Sequence, residues 1–371
     1  MRKAVLTLTT AVALGLFSLY GHAADPIVIK FSHVVAPDTP KGKAAEKFKE
    51  LAESKTQGAV KVEVYPNSTL YKDKEEMEAL QMGAVQMLAP SLAKFGPLGV
   101  KEFEAFDLPY LFNNYAELHA VTQGEVGKSL LAKLEPKGVK GLAYWDNGFK
   151  IMSANKPLKD VKDYKGLKMR IQSSKVLEAE MRALGANPQV LPFSETYQAL
   201  QTGVVDGTEN PPSNLYTQKM HEVQKYASVT NHGYLGYAVI ANKAFWEKLP
   251  EDVRKNLDEA LKESTDYANQ IAKDENDKAL EAVKASGKTE VYVPTAEELQ
   301  ALKTALLPVH EEMAGRIGKD LIDSVKKATA GATLSTDTKA EAKDDKAAAK
   351  DDKAAKDDKA ADKPKEKAES K

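Results

Sequence analysis

The ten residues Lys165-Gly-Leu-Lys-Met-Arg-Ile-Gln-Ser-Ser174 constrain the fold more than any other part of this chain. Leu167, Met169 and Ile171 alternate with Lys168, Arg170 and Gln172, the period of a strand with one buried face. After Ser173-Ser174 the spacing becomes helical, with Leu177, Met181 and Leu184 on one face and Gly185 placed to end the helix. A strand running directly into a helix is the repeating unit of α/β folds. Arg170 therefore lies near the carboxyl end of a strand and just before a helix N-terminus, the edge where open α/β sheets bind ligands. A guanidinium there is suited to gripping a carboxylate, although a surface arginine at a strand end fits the same segment.

The pattern repeats on both sides. Gln189 to Phe193 reads as the next strand, and Ser194-Glu195 as the N-cap and first turn of a helix ending at Gly203. Upstream, Ile27–His33 and Val60–Tyr65 read as strands around a helix carrying Ala44, Phe48 and Leu51. A helix around Lys74 to Met82 precedes a strand near Val85 to Ala89, and Leu142–Tyr144 and Lys150–Met152 read as two further strands. Pro250-Glu251-Asp252 opens a helical stretch running toward Gly287, with Val253, Leu257 and Leu261 on one face. These elements predict an α/β protein with open sheets and a helix too long for a single small lobe.

The ends of the chain read differently. Arg2 and Lys3, an apolar run from Val5 to Tyr20, and Gly21-His22-Ala23 have the form of a secretory signal cleaved after Ala23. From Ala332 to Lys371 the composition collapses to Lys, Asp and Ala, with Lys-Asp-Asp-Lys-Ala-Ala starting at Lys343, Lys350 and Lys356. With no large apolar residue after Leu334, that tail cannot bury a core and is expected to be disordered. The chain has no cysteine, which excludes disulfides, thiol nucleophiles and thiolate metal sites. Its formal net charge is −1, without the basic stripe of a nucleic-acid binder. An anionic ligand must then be held by local cations. The six histidines show no metal-ligand spacing, and no nucleophile elbow, P-loop or dinucleotide fingerprint occurs, so neither a cofactor nor a metal is expected.

Between Gly166 and His232 four stretches combine: Lys-Met-Arg-Ile-Gln, Pro-Phe-Ser-Glu-Thr-Tyr-Gln-Ala-Leu-Gln-Thr-Gly, Val-Asp-Gly-Thr-Glu-Asn-Pro, and Gln224-Lys-Tyr with Thr230-Asn-His232. Together they closely resemble the solute-binding subunits of tripartite ATP-independent periplasmic (TRAP) transporters, most of all the branch that binds four-carbon dicarboxylates. The resemblance extends over roughly residues 27 to 326; the Lys/Asp/Ala tail departs from it, since members usually stop near the last helix. It implies a two-lobed periplasmic solute-binding protein with open mixed sheets and a long helix bracing both lobes. The first lobe would hold about 24–145 with part of 230–270, and the second about 146–229 with the C-terminal helices. It also implies a non-catalytic monomer that closes on a succinate-like carboxylate and hands it to an ion-gradient-driven membrane permease.

Carried over by motif position, Arg170 would be the carboxylate-binding arginine and Asn210 a side-chain amide on the same ligand, if it is not simply a turn residue before proline. Phe193 would lie against the ligand's carbon skeleton or pack in the core. Ser174 would stand behind the arginine or cap the helix. Lys150 would be a second cation facing Arg170, at a position where sialic-acid-binding members carry arginine, or a solvated loop residue. From the first lobe, Lys30, His33 and Ser91 could contribute; a lone histidine is more often a structural hydrogen-bonder. Two alternatives stay open: a receptor for a keto or sugar acid, and an exported enzyme acting on a small carboxylic acid. A third, a sensor or wall-interacting protein, rests on the tail alone.

Overall fold

The computed structural model describes residues 25–332; the signal segment 1–23 and the tail, apart from Ala332, lie outside the described residues. Eleven strands are seen there: β1 (Ile27–Ser32), β2 (Val60–Tyr65), β3 (Met87–Leu88), β4 (Val139–Phe149), β5 (Ile151–Ala154), β6 (Lys168–Ile171), β7 (Asn187–Val190), β8 (Gly207–Asn210), β9 (Tyr226–Ser228), β10 (Tyr234–Asn242) and β11 (Glu290–Tyr292). They form two mixed sheets, ordered β2-β1-β3-β10-β4 and β11-β9-β5-β8-β6-β7. Each sheet is the centre of one lobe, so the fold is α/β and two-lobed.

Among the described residues the chain crosses between the lobes at several points. β4 passes into β5 at Lys150, β9 passes into β10 through residues 229–233, and the helix Glu251–Ala285 runs along both. At 35 residues that helix is about 52 Å long. Ala260, Leu261 and Ala268 pack into the first lobe's core, while Val283 enters the second. Between them Asn276 donates from Nδ2 to Asn147 O at 2.6 Å and accepts from the Ser213 N–H at 3.0 Å, so one buried amide ties β4 to the helix Pro212–Thr217. The helices Ala296–Leu306 and Pro308–Ile317 divide similarly: Leu302 and Leu306 join the second lobe's core, and Val309, Met313 and Ile317 join the first lobe's. A bidentate contact from Arg316 to the fully buried Glu104, at 2.5 and 2.8 Å, fastens the last of them.

Several expected elements shift. Leu142–Tyr144 is part of a longer strand: β4 is continuous from Val139 to Phe149, because it pairs antiparallel with β10 from Val139↔Asn242 to Phe149↔Tyr234, and Lys150–Met152 falls at the start of the separate strand β5. β4 is the edge strand of its sheet, and residues 144–148 are buried one after another, so burial does not alternate along it. β7 stops at Val190, and Phe193–Glu195 form a single 3-10 turn, since Pro192 has no N–H to continue the ladder. Ser194 consequently sits inside that turn and does not cap the helix Thr196–Gln201, whose N-cap is Glu195 without a side-chain bond. Ser174 does precede the helix Lys175–Ala183, likewise without a side-chain capping bond.

Candidate ligand site between the lobes

β6 delivers Arg170 to the cleft edge, and register explains why. Parallel pairing sets Arg170 beside Thr208 of β8 and Gln189 of β7, so the arginine stands on an inner strand of the second sheet, one in from the edge strand β7, near that strand's carboxyl end. The side chain is 1% exposed. Its Nε and Nη2 donate to one acceptor, Leu191 O, at 3.0 and 2.8 Å. A guanidinium has five N–H groups. Two are spent on Leu191, which leaves the terminal Nη1/Nη2 edge as a second fork of the geometry a carboxylate needs. The Phe193 ring lies 5.7 Å from the guanidinium carbon, so the turn after β7 holds the arginine from two sides.

A small cavity of about 20 Å³ opens between the lobes next to this turn. Phe193, Asn210, Asn214 and Gln172 line it from the second lobe, and Lys41, Asp73, Ser91 and Tyr237 from the first. Arg170 stands just behind the wall formed by Asp73 and Phe193. The cavity's volume suits one water, so a four-carbon acid enters only when the lobes part. A wider groove of about 740 Å³, lined by Lys72, Lys94, Leu191 and Pro192 among others, shares Asp73 with it and leads outward.

Much of the polar lining is engaged, but among the described residues Asn214 Oδ1 and the Tyr237 hydroxyl are buried without a hydrogen-bond partner. Asn210 Nδ2 donates to Thr208 Oγ1 and its Oδ1 accepts from Asn214 Nδ2, both at 3.3 Å. Ser91 Oγ bonds Gln172 Oε1 across the cleft. Lys41 Nζ donates to Ala89 O at 2.9 Å and sits 3.7 Å from the centre of the Tyr237 ring. Burial lowers the Lys41 pKa, against the pull of Glu76 and Asp73. Burial likewise raises Glu76 well above the carboxylate range, helped by Asp73.

Of the residues expected from sequence, Phe193, Asn210 and Ser91 line the cavity and Arg170 adjoins it; the other four lie elsewhere. Lys150 does not face Arg170. It is buried at the β4–β5 crossing in contact with Glu209, because β5–β8 pairing sets Met152 opposite Glu209 and Ile151 opposite Asn210. Around that pair stand His232, at 3.3 Å from Glu180 and 3.7 Å from Glu209, together with Asp107 and Ser174. Burial would lower Lys150, but Glu209, Glu180 and Asp107 outweigh it and raise its pKa. Burial pushes Glu180 up to about 8 and Asp107 to about 7, and it lowers His232. Ser174 thus belongs to this hinge cluster and not to the cavity. His33 is buried and held neutral, its pKa pushed down to about 3 by burial and by Lys41; its neighbours Val34 and Val35 line the cavity, and it does not. Lys30 is half-buried opposite Glu63 of β2, also away from the cavity.

Sequence reasoning missed Lys41, Asp73, Asn214 and Tyr237. Thr39-Pro40-Lys41 carried a usable signal, since an N-cap threonine followed by proline puts Lys41 in a first helical turn. Its burial had none.

The sequence profile of bacterial extracellular solute-binding protein family 7, DctP, matches residues 31–316. The chain belongs to that family. It is 70% identical over 329 residues to the C4-dicarboxylate-binding periplasmic protein DctP of Rhodobacter capsulatus, covering 89% of this chain and 99% of that protein. Among solved structures it is similar to a TRAP periplasmic solute-binding protein from Shewanella oneidensis with bound succinate, with a TM-score of 0.80 and 43% identity over 82% of this chain and 99% of the other. A TRAP periplasmic solute-binding protein from Pseudomonas aeruginosa with bound L-malate gives 0.76 and 46%, over 77% and 100%. Among the described residues, no group of three or more His, Asp or Glu is placed to hold a metal ion, and no helix is long and apolar enough to cross a membrane.

Proposed function

We propose that this chain is an extracytoplasmic receptor for a four-carbon dicarboxylate such as succinate, malate or fumarate, and that it passes its ligand to an ion-gradient-driven TRAP permease. The observation that carries the reading is Arg170, buried beside the cleft with one edge anchored on Leu191 O and the other free to take a carboxylate. Lys41, across the cavity, supplies the second cation that a dianion needs. That role was expected of Lys150, which instead neutralises Glu209 at the hinge. Asn210, Asn214 and Tyr237 complete the polar lining, and Phe193 offers its ring to the carbon chain. Capture needs no bond to break, so the protein acts by binding and lobe closure, as a monomer and without turnover. The export signal cleaved after Ala23 places it in the periplasm, and the mature N-terminus should read Ala24.

Calorimetry of the mature protein with succinate, malate, fumarate and butyrate tests the reading. The second carboxylate should be worth roughly 1.5–3 kcal/mol as a charge-assisted contact, so butyrate should bind at least about tenfold more weakly than succinate. Equal affinities, or tight binding of a sugar acid alone, would refute the dicarboxylate assignment. Appearance of a product in the same mixtures would refute the receptor role.

A further inference from the structure

Asp73 belongs to the loop between β2 and the helix Glu76–Gln81, in the first lobe, yet its strongest contact is with the second. Its Oδ2 accepts from the Phe193 backbone N–H at 2.7 Å across the cleft. The same oxygen lies 3.3 Å from Lys94 Nζ and 4.0 Å from Arg170 Nη2, and the side chain is 5% exposed. The turn it grips is the one that holds the arginine: Leu191 O takes both Arg170 donors, and the Phe193 ring stands beside the guanidinium. A single three-residue segment is thus fixed to the opposite lobe at one end and to Arg170 at the other.

Other polar contacts cross the cleft, but on weaker terms. Lys72–Glu195 at 3.3 Å and Gln218–Asn67 at 3.4 Å are exposed, where such pairs contribute little. Ser91–Gln172 is buried but uncharged. The Asp73 bond is both buried and charge-assisted. Burial opposes its ionisation, but Lys94, Arg170 and the Phe193 N–H outweigh that and keep the carboxyl below its usual range.

We propose that Asp73 is a positioning residue: it latches the Leu191–Phe193 turn to the first lobe, so that closing the lobes and aiming Arg170 are one event. The proposal rests on the receptor reading above. A rival role, in which Asp73 occupies the anion site of Arg170 until ligand displaces it, fits the geometry less well, because the carboxylate is bonded to the backbone and stands off the guanidinium.

The test is stopped-flow binding of succinate to the full mature protein and to its Asp73→Ala and Asp73→Asn variants. A latch acts on the closed state, so Asp73→Ala should raise the dissociation rate at least about tenfold, the loss of one charge-assisted bond. Association should change by less than about threefold, since encounter precedes closure. Asp73→Asn keeps an acceptor for the Phe193 N–H but loses the charge, and should fall between. It decides alone if the alanine variant does not fold: a rise of about threefold supports the latch and no rise overturns it. An unchanged dissociation rate in Asp73→Ala overturns it too, and tighter binding would establish the rival role. If the wild type binds none of the dicarboxylates, the receptor assignment fails and the latch is judged without ligand. The chain lacks cysteine, so spin labels at Glu46→Cys and Lys165→Cys, exposed sites one on each lobe, report the inter-lobe distance cleanly. Asp73→Ala should then deplete the short-distance population seen with Asp73 present; identical distributions overturn the proposal.

Discussion

Replacing Arg170 by lysine preserves the charge and removes the geometry, which makes it a sharper probe than removing the charge outright. Arg170 does two jobs with one planar group: two N–H donors hold Leu191 O, and the opposite edge remains for ligand. An ammonium on a flexible stem can reach one of these partners, not both as a fork. Loss of the Leu191 contact also frees the turn that carries Phe193. Truncating one member of a buried, hydrogen-bonded charge pair typically costs about 2–5 kcal/mol, much of it from the partner charge left unpaired. At the lower end, about 2 kcal/mol, this corresponds to roughly thirtyfold in affinity. Arg170→Lys and Arg170→Ala should therefore both weaken succinate binding at least about thirtyfold by calorimetry. The unliganded protein should still unfold cooperatively, because Asp73 keeps Lys94 as its partner. If Arg170→Ala bound succinate within threefold of wild type, the arginine would be a structural post for the turn and the ligand would sit elsewhere.

Three further outcomes are expected. Lys41→Met should weaken succinate by at least about tenfold and leave butyrate nearly unchanged, so the preference between the two acids collapses; an equal loss for both would remove Lys41 as the second anchor. His119 Nε2 donates to Asp146 Oδ2 at 2.6 Å, and that bond, opposed by burial, raises its pKa above the ordinary value of 6.5. The protonated form is the one stabilised, so this contribution is complete below the unfolded pKa and fades as pH rises through the folded one. The melting temperature of wild type relative to His119→Asn should thus be larger at about pH 5.5 than at about pH 8.5, and a pH-independent difference would contradict it. Arg316→Ala should destabilise the fold by about 3–5 kcal/mol in denaturant melts, since it leaves Glu104 buried without its partner. A loss under about 1 kcal/mol would mean that Glu104 finds water or another donor.

What could be read from the sequence divides along a physical line. The Arg170 unit was legible because strand and helix periods are local, and the switch between them fixes where the arginine stands relative to the sheet edge. The long helix was legible for the same reason, from Val253, Leu257 and Leu261 and the proline before it. The partners that turn Arg170 into a site were not. Leu191, Phe193 and Asp73 are brought to it by the β6–β7 register and by the apposition of two lobes, neither of which leaves a periodic trace. Lys150 and Lys41 show the cost of that gap. Both are buried lysines, and burial of a lysine without a partner is expensive, so each must be explained by what faces it. Lys150 faces Glu209, a residue 59 positions away that only β5–β8 pairing makes its neighbour. Its charge is consumed in holding the crossing strands together.

That assignment bears on how such a site stays selective. An ion pair sealed at the hinge keeps its cation from the ligand, while Lys41 bonds a backbone carbonyl, stands over the Tyr237 ring and feels the carboxyls of Glu76 and Asp73. The carbonyl and the ring carry no full negative charge, and Asp73 is shared with Lys94 and Arg170, so on the proposed reading the ammonium keeps attraction for an incoming carboxylate. Glu76, its acidic neighbour, is pushed by burial toward the neutral form and competes weakly. On the proposed reading the cleft offers two cations, Arg170 and Lys41, with the Asp73 carboxylate, side-chain amides, hydroxyls and the Phe193 ring around them. On that reading a short acid with a carboxylate at each end would satisfy both, whereas one with a single carboxylate would leave a buried cation unpaired, and that penalty, more than any attractive contact, would reject it.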